Sequence, residues 1–227
     1  MECGAAMVEP ELARVRIRRL GRVPYGDAMR LQDAVLSRVV ASASAVGEVL
    51  VLEHDSVYTL GRGAAEEDLM GAPERLGISV HRVGRGGGAT YHGPGQVVAY
   101  PIVRLPGAGT DVRGYVRRLE RALIATCSRC GVQADSKSGE IGVWSSRGKI
   151  GAVGIGVKRG VAFHGVSLNV CNRLDYFETI VPCRMPGMAV TSLERESGAK
   201  LSVDGVGEML IEDLCRELEL CEAVGSR

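Results

Sequence analysis

Several things are missing from this 227-residue sequence, and each absence removes a class of protein. No apolar run approaches the roughly 18–20 residues needed to cross a bilayer, so a membrane-spanning role is excluded. No G-X-Y period accompanies the glycines, which excludes a collagen-like repeat. The formal net charge is only +1, far from the strongly basic balance of a dedicated nucleic-acid binder. Residues 1–20 carry Glu2 and no apolar core of signal-peptide type, which points to a cytoplasmic protein. The seven cysteines are odd in number and scattered, as expected of thiols kept reduced. Cys127 and Cys130 form a CxxC pair, but no second CxxC completes a zinc site, and the pair lies within a helical pattern. No metal site is expected. Neither named phosphate motif occurs: there is no GxxxxGK[ST], and no GxGxxG between a strand and a helix.

What is present is glycine, 31 residues of it against nine aromatics. Average usage is about 7%, so the chain carries nearly twice the ordinary share of the residue that loses most backbone entropy on folding. Six glycines fall in 84–95 (GRGGGATYHGPG) and seven more lie between Gly142 and Gly165. Such clusters mark backbone that a ligand or another strand must approach closely. The strand-like VVAYPI follows the first cluster, so no helix N-terminus is available there for an anion. An extended substrate fits better than a phosphate.

The pattern between these clusters predicts one alternating α/β body in a single domain of 1–227, with 1–24 an extension or first strand of uncertain role. Asp27 is expected to cap a helix over 27–44, with Leu31, Val35 and Val39 four residues apart. VLVLEH (49–54) reads as a strand and VYTL (57–60) as its hairpin partner, while ISVHRV (78–83) and VVAYPI (97–102) read as further strands. Thr110 or Asp111 opens a second helix with Val112, Val116, Leu119 and Leu123 on one face and its end at Gly131; its other face carries Arg113, Arg117 and Arg121, a stripe that reads as a solvated surface, the alternative being docking to an acidic partner. Three more strands follow at 141–144, 149–157 and 161–170, the last two joined by a KRG hairpin turn. A final helix from Ser202 runs through Val206, Leu210, Leu214 and Leu218.

Reactive side chains punctuate the glycine segments. Arg85, Thr90, Tyr91 and His92 sit in the first, Lys149 opens the second, and His164 lies between Phe163 and Gly165. In a third segment, 180–193, Cys183 stands between Pro182 and Arg184. A thiol reacts as its thiolate, so a neighbouring cation ranks Cys183 first among the seven cysteines.

RGGGATYHGPGQVVAYP (85–101), KIGAVGIGVKRGVAFHGVSLNV (149–170) and IVPCRMPGMAVTSL (180–193), with LVLEHDSVYTLGRG (50–63), resemble the octanoyltransferase (lipoate–protein ligase B) family across about 25–195. The resemblance implies the biotin/lipoate ligase catalytic fold, an α/β (α+β) arrangement whose mixed, largely antiparallel sheet is flanked by helices. It implies octanoyl transfer from acyl carrier protein to a lysine of lipoyl domains, those of 2-oxoacid dehydrogenases and the glycine cleavage H protein, with no cofactor. Cys183 matches the family's nucleophile and Lys149 the lysine that activates it. Arg85, Gly86, Gly87, Gly88, Ala89, Thr90, Tyr91 and His92 match its substrate-binding loop. Ala152, Val153 and Gly154 match a second binding segment, and Gly165, Val166 and Ser167 a third. His92 and His164 are expected to hydrogen-bond near the thiol. Arg184 departs from the pattern, since the family usually has glycine after the cysteine. The competing readings are an ATP-dependent lipoate or biotin ligase on the same fold, and an acyl-binding protein without catalysis.

Overall fold

The computed structural model describes residues 13–106, 111–181 and 187–223. Ten strands and five helices alternate along them: β1 (Ala13–Val23), α1 (Tyr25–Ala41), β2 (Gly47–His54), β3 (Val57–Leu60), α2 (Ala72–Leu76), β4 (Ser79–Arg82), β5 (Ala89–His92), β6 (Gln96–Arg104), α3 (Val112–Arg129), β7 (Val143–Ser145), β8 (Gly148–Lys158), β9 (Val161–Asn169), α4 (Leu193–Ser197), α5 (Val203–Leu218) and β10 (Leu220–Glu222).

Seven strands form one sheet in the order β10-β1-β2-β6-β9-β8-β7. The β10-β1 and β1-β2 pairs are parallel and the other four antiparallel, so the sheet is mixed and mostly antiparallel, as expected. The uncertain N-terminal segment supplies β1, an integral strand between β2 and β10. The β8-β9 hairpin turns through Arg159 and Gly160, both at positive φ (48° and 76°), the geometry of a two-residue type I′ turn.

Sequence reading departs from the structure in three places. VYTL is not a hairpin partner of β2: β3 belongs to a second, three-stranded sheet in the order β4-β3-β5. ATYH, within the glycine-rich stretch, is the strand β5 of that small sheet and pairs with β3 from Val57↔His92 to Leu60↔Ala89. Both errors share a cause: strand propensity is local, whereas the choice of partner depends on contacts distant in sequence. The first helix begins at Tyr25 after Pro24, so Asp27 lies in its first turn, where a carboxylate favours the helix dipole, and is not its cap. The helix ends at Ala41. Asp111 does cap α3, accepting from the Gly114 N–H, and Ser202 caps α5 in the same way.

The large sheet buries its two faces differently. On one, Val15, Ile17, Val49, Val51, Val97, Ala99, Val166 and Leu168 pack against Leu119, Leu123, Leu210 and Leu214 of α3 and α5. On the other, Leu50, Leu52, Val98, Tyr100 and Ile102 pack against Ala28, Val35, Leu36 and Val39 of α1. The small sheet has its own cluster, where Tyr58, Leu60, Leu69 and Tyr91 meet Phe177 and Ile180. Arg113, Arg117 and Arg121 are exposed on α3, as a solvated stripe should be.

Candidate active site

A narrow cleft opens where β5 and the turn before it face β6, β8 and β9 of the large sheet. Its walls include Arg85, Gly87, Ala89, Thr90 and His92 on one side and Lys149, Ala152, Val153, Gly154, His164, Gly165, Val166 and Ser167 on the other, with Tyr25, Val98 and Tyr100 added. The three predicted binding segments therefore converge on one space. Gly86, Gly88 and Tyr91 do not line it. Gly86 instead ties the turn to β8 by donating to the Ile155 carbonyl, and Gly88 accepts from the Gly61 N–H. Tyr91 faces the small-sheet cluster, its hydroxyl 2.9 Å from that of Ser56 and its ring tilted against that of Tyr176.

Much of the glycine excess serves packing between protein segments. A Cβ on Gly165 would strike the Ala99 carbonyl oxygen of the neighbouring strand, so this residue sets how closely β9 and β6 approach. Gly142, at φ +127°, makes room for a side chain: a Cβ there would lie 2.6 Å from Cε of Lys149.

Lys149 is buried at one end of the cleft. Its Nζ donates to the Ile141 carbonyl at 2.9 Å and lies 4.8 Å from the centre of the Trp144 ring, a cation–π contact. Its backbone is stitched to the segment following the predicted nucleophile: the Lys149 N–H donates to Ala189 O at 2.8 Å, and the Thr191 N–H donates to Lys149 O at 2.9 Å. Cys183 and Arg184 lie outside the described residues. Among the described thiols, burial pushes Cys127 up to about 12 and raises Cys130, Cys171 and Cys215, so none of these four is prepared as a thiolate. No cluster of three or more metal-ligating side chains occurs among the described residues.

His92 and His164 also line the cleft, and His54, His81 and His92 surround the Tyr25 ring. His54 and His81 each lie 4.9 Å from the Tyr25 ring, and His92 lies 5.8 Å from His54. The Nδ1–H of His54 donates to the Val23 carbonyl, so its Nε2 accepts from the Tyr100 hydroxyl at 2.8 Å. Burial holds His54 and His164 near 4 and His92 near 3, well below the usual imidazole value, so all three are neutral at pH 7. Burial likewise pushes the Tyr25 phenol up to about 12.

His164 is not beside Lys149. It pairs across the hairpin with Ile155, six residues along β8 from Lys149, a separation of about 20 Å at strand rise. Its backbone is in the left-handed region (φ 56°), unusual for a non-glycine residue and held by Gln32. The Gln32 Oε1 accepts from the His164 N–H at 2.8 Å, and its Nε2 lies 3.5 Å from Nδ1 of the same residue.

Arg85 is buried across the cleft, donating to the Thr59 carbonyl and hydroxyl and to the Gly86 carbonyl. Sequence reading missed Tyr25, His54, Tyr100, Gln32 and Gln96. The visible signal was polarity out of place: Gln32 lies on the apolar face of α1, and Gln96 opens an otherwise apolar strand.

The lipoyl protein ligase A/B catalytic-domain family model matches residues 24–215. An octanoyltransferase of Citrifermentans bemidjiense is 41% identical over 191 residues, covering 84% of this chain and 91% of that protein. One of Nocardia farcinica is 43% identical over 204 residues, covering 86% and 78%. Among solved structures, lipoate–protein ligase A bound with ATP aligns with TM-score 0.77 at 18% identity, over 94% of this chain and 89% of that one. A biotin protein ligase of Aquifex aeolicus in complex with biotin and ATP aligns at TM-score 0.53 and 12% identity, covering 90% and 70%. These two structural likenesses establish the shared fold. The chain therefore belongs to the lipoyl protein ligase A/B catalytic-domain family and, within it, to the octanoyltransferases, a family of acyltransferases.

Proposed function

We propose that this chain, acting as one catalytic domain, moves an octanoyl group from octanoyl-acyl carrier protein to the ε-amine of a lysine on lipoyl domains. The acceptors are those of 2-oxoacid dehydrogenases and the glycine cleavage H protein. Cys183 is the nucleophile. Its thiolate attacks the donor thioester carbonyl, the donor C–S bond breaks, and the donor thiol leaves with a proton delivered by Lys149. In the second half, the lysine amine attacks the Cys183 thioester. The new C–N bond forms, the C–S bond breaks, and the amine's proton passes through Lys149 to the departing thiolate. Thioester exchange is nearly isoenergetic and amide formation is downhill, so no ATP is needed.

The observation that carries this reading is the pairing of Lys149 with Ala189 and Thr191. It ties the only buried lysine among the described residues to the chain that leaves Cys183, beside a cleft lined in part by glycines. An eight-carbon chain buried there gains about 0.8 kcal/mol per methylene, roughly 5–6 kcal/mol in all.

Incubation with octanoyl-acyl carrier protein is expected to add one octanoyl group to the intact protein. The adduct is hydroxylamine-sensitive, maps to Cys183, is absent from Cys183→Ser, and is passed to a lipoyl domain without ATP. A label on Cys127 or Cys171, or strict dependence on ATP and free octanoate, would overturn the reading.

A further inference from the structure

His92 and His164 face the same cleft, yet their surroundings impose opposite tautomers. At His92 the chain of donors is anchored by two backbone carbonyls, those of Thr191 and Tyr91, which only accept. The Asn169 Nδ2 donates to the Thr191 carbonyl at 3.0 Å, which turns its Oδ1 toward Gln96. The Gln96 Nε2 donates to that Oδ1 at 2.9 Å and to the Tyr91 carbonyl at 3.4 Å. Its Oε1 is thereby left to His92 Nδ1, 2.7 Å away, and that nitrogen must carry the proton. The Nε2 of His92 is then a lone pair, and among the described residues it has no hydrogen-bond partner. At His164 the order is reversed: Gln32 uses its oxygen on the His164 N–H and turns its amide nitrogen to Nδ1, so Nε2 carries the proton.

We infer that the His92 lone pair receives an N–H of the incoming acceptor lysine, and that Gln96 and Asn169 are positioning residues that keep it available. This rests on the proposed acyl transfer. The chemistry selects the reactant: a thioester carbonyl and its sulfur only accept hydrogen bonds, whereas the attacking amine brings N–H groups to the site. A bare acceptor therefore serves the second half-reaction. The groups facing His92 are Tyr25 from α1, His54 from β2, Arg85 from the turn before β5 and His164 from β9. Burial first, then His54 and Arg85, disfavour a second proton on the ring, so the lone pair persists at neutral pH. Thr191 ends the relay and also donates its N–H to the Lys149 carbonyl, which joins this network to the strand bearing Lys149.

The test has two readouts on the full chain. In protein labelled with ¹⁵N-histidine, long-range ¹H–¹⁵N spectra are expected to show His92 and His54 as Nδ1–H tautomers and His164 as Nε2–H. Gln96→Met is expected to mix the His92 tautomers and leave the His164 signals in place. In single-turnover experiments, passage of octanoyl from the enzyme to a lipoyl domain slows roughly 10- to 100-fold in Gln96→Met. Formation of the Cys183 adduct slows far less. Asn169→Leu, one bond further along the relay, gives the same split if Gln96→Met does not fold. An Nε2–H signal for His92 in the wild type, a mixed tautomer with unchanged transfer, or equal slowing of both halves would overturn the inference. Failure of the wild type to form the Cys183 adduct would sink the proposed function itself.

Discussion

The two faces of the seven-stranded sheet are made from the same strands and serve different purposes. Under α3 and α5 the buried surface is almost wholly aliphatic, and the buried carboxylate of Asp213 is matched by Thr126 and Arg216. On the face shared by α1 and the small sheet, Lys149, His92, Gln96, Ser167 and Asn169 are buried close to one another. An apolar face needs no direction in its contacts, so it supplies stability. A polar one must satisfy each donor and acceptor, and that requirement fixes orientation. Stability and the proposed chemistry thus divide by the side of the sheet a residue faces.

The strongest way to break that separation is Lys149→Met, expected to lower octanoyl transfer by about 10²–10⁴-fold. It should change the denaturant midpoint little, and a comparable collapse of stability would show that the polar face also carries the fold. On the opposite face Leu119→Ala should cost about 2–5 kcal/mol in urea unfolding. Its transfer rate per folded molecule should stay near wild type. Gly165→Ala tests the boundary: forcing a Cβ against the Ala99 carbonyl is expected to cost about 1–3 kcal/mol. Because Gly165 also lines the cleft, that variant should lose transfer rate as well.

Acid sharpens the contrast further. His54, His92 and His164 have folded values of about 4, 3 and 4, below the unfolded value near 6.5. In this window the unfolded chain binds more protons, so stability rises with pH. The contribution is complete above about pH 6.5 and is lost as pH falls toward 4, by up to about 1.4 kcal/mol per pH unit for each histidine. Unfolding midpoints measured between pH 7 and 4 should show this slope, and His54→Asn should make it shallower. The smallest effect is expected at the exposed pair Arg121–Glu217, where Arg121→Ala should shift stability by no more than about 0.5 kcal/mol.

Periodicity made α3, α5 and most strands of the large sheet legible, because their burial repeats at the period of the element itself. Motif resemblance reached the cleft walls, including Lys149 and His92. It did not reach Gln32, whose role depends on α1 crossing the sheet opposite a left-handed His164, or His54, whose partner Tyr100 is 46 residues away. Within the loop that the resemblance marks, only the structure shows that Tyr91 points to the small-sheet cluster and not into the cleft, since side chains alternate along β5.

By itself, the sequence determined most of the helices and strands and the family, because these depend on residue type and local spacing. Only the tertiary structure decided that β3 and β5 form a separate small sheet. Only it set His164 about 20 Å along the hairpin from Lys149, and it alone turned Gln96 and Gln32 in opposite senses toward their histidines. Each of those outcomes depends on a hydrogen-bond partner distant along the chain, and a donor or acceptor has no direction until its partner is in place.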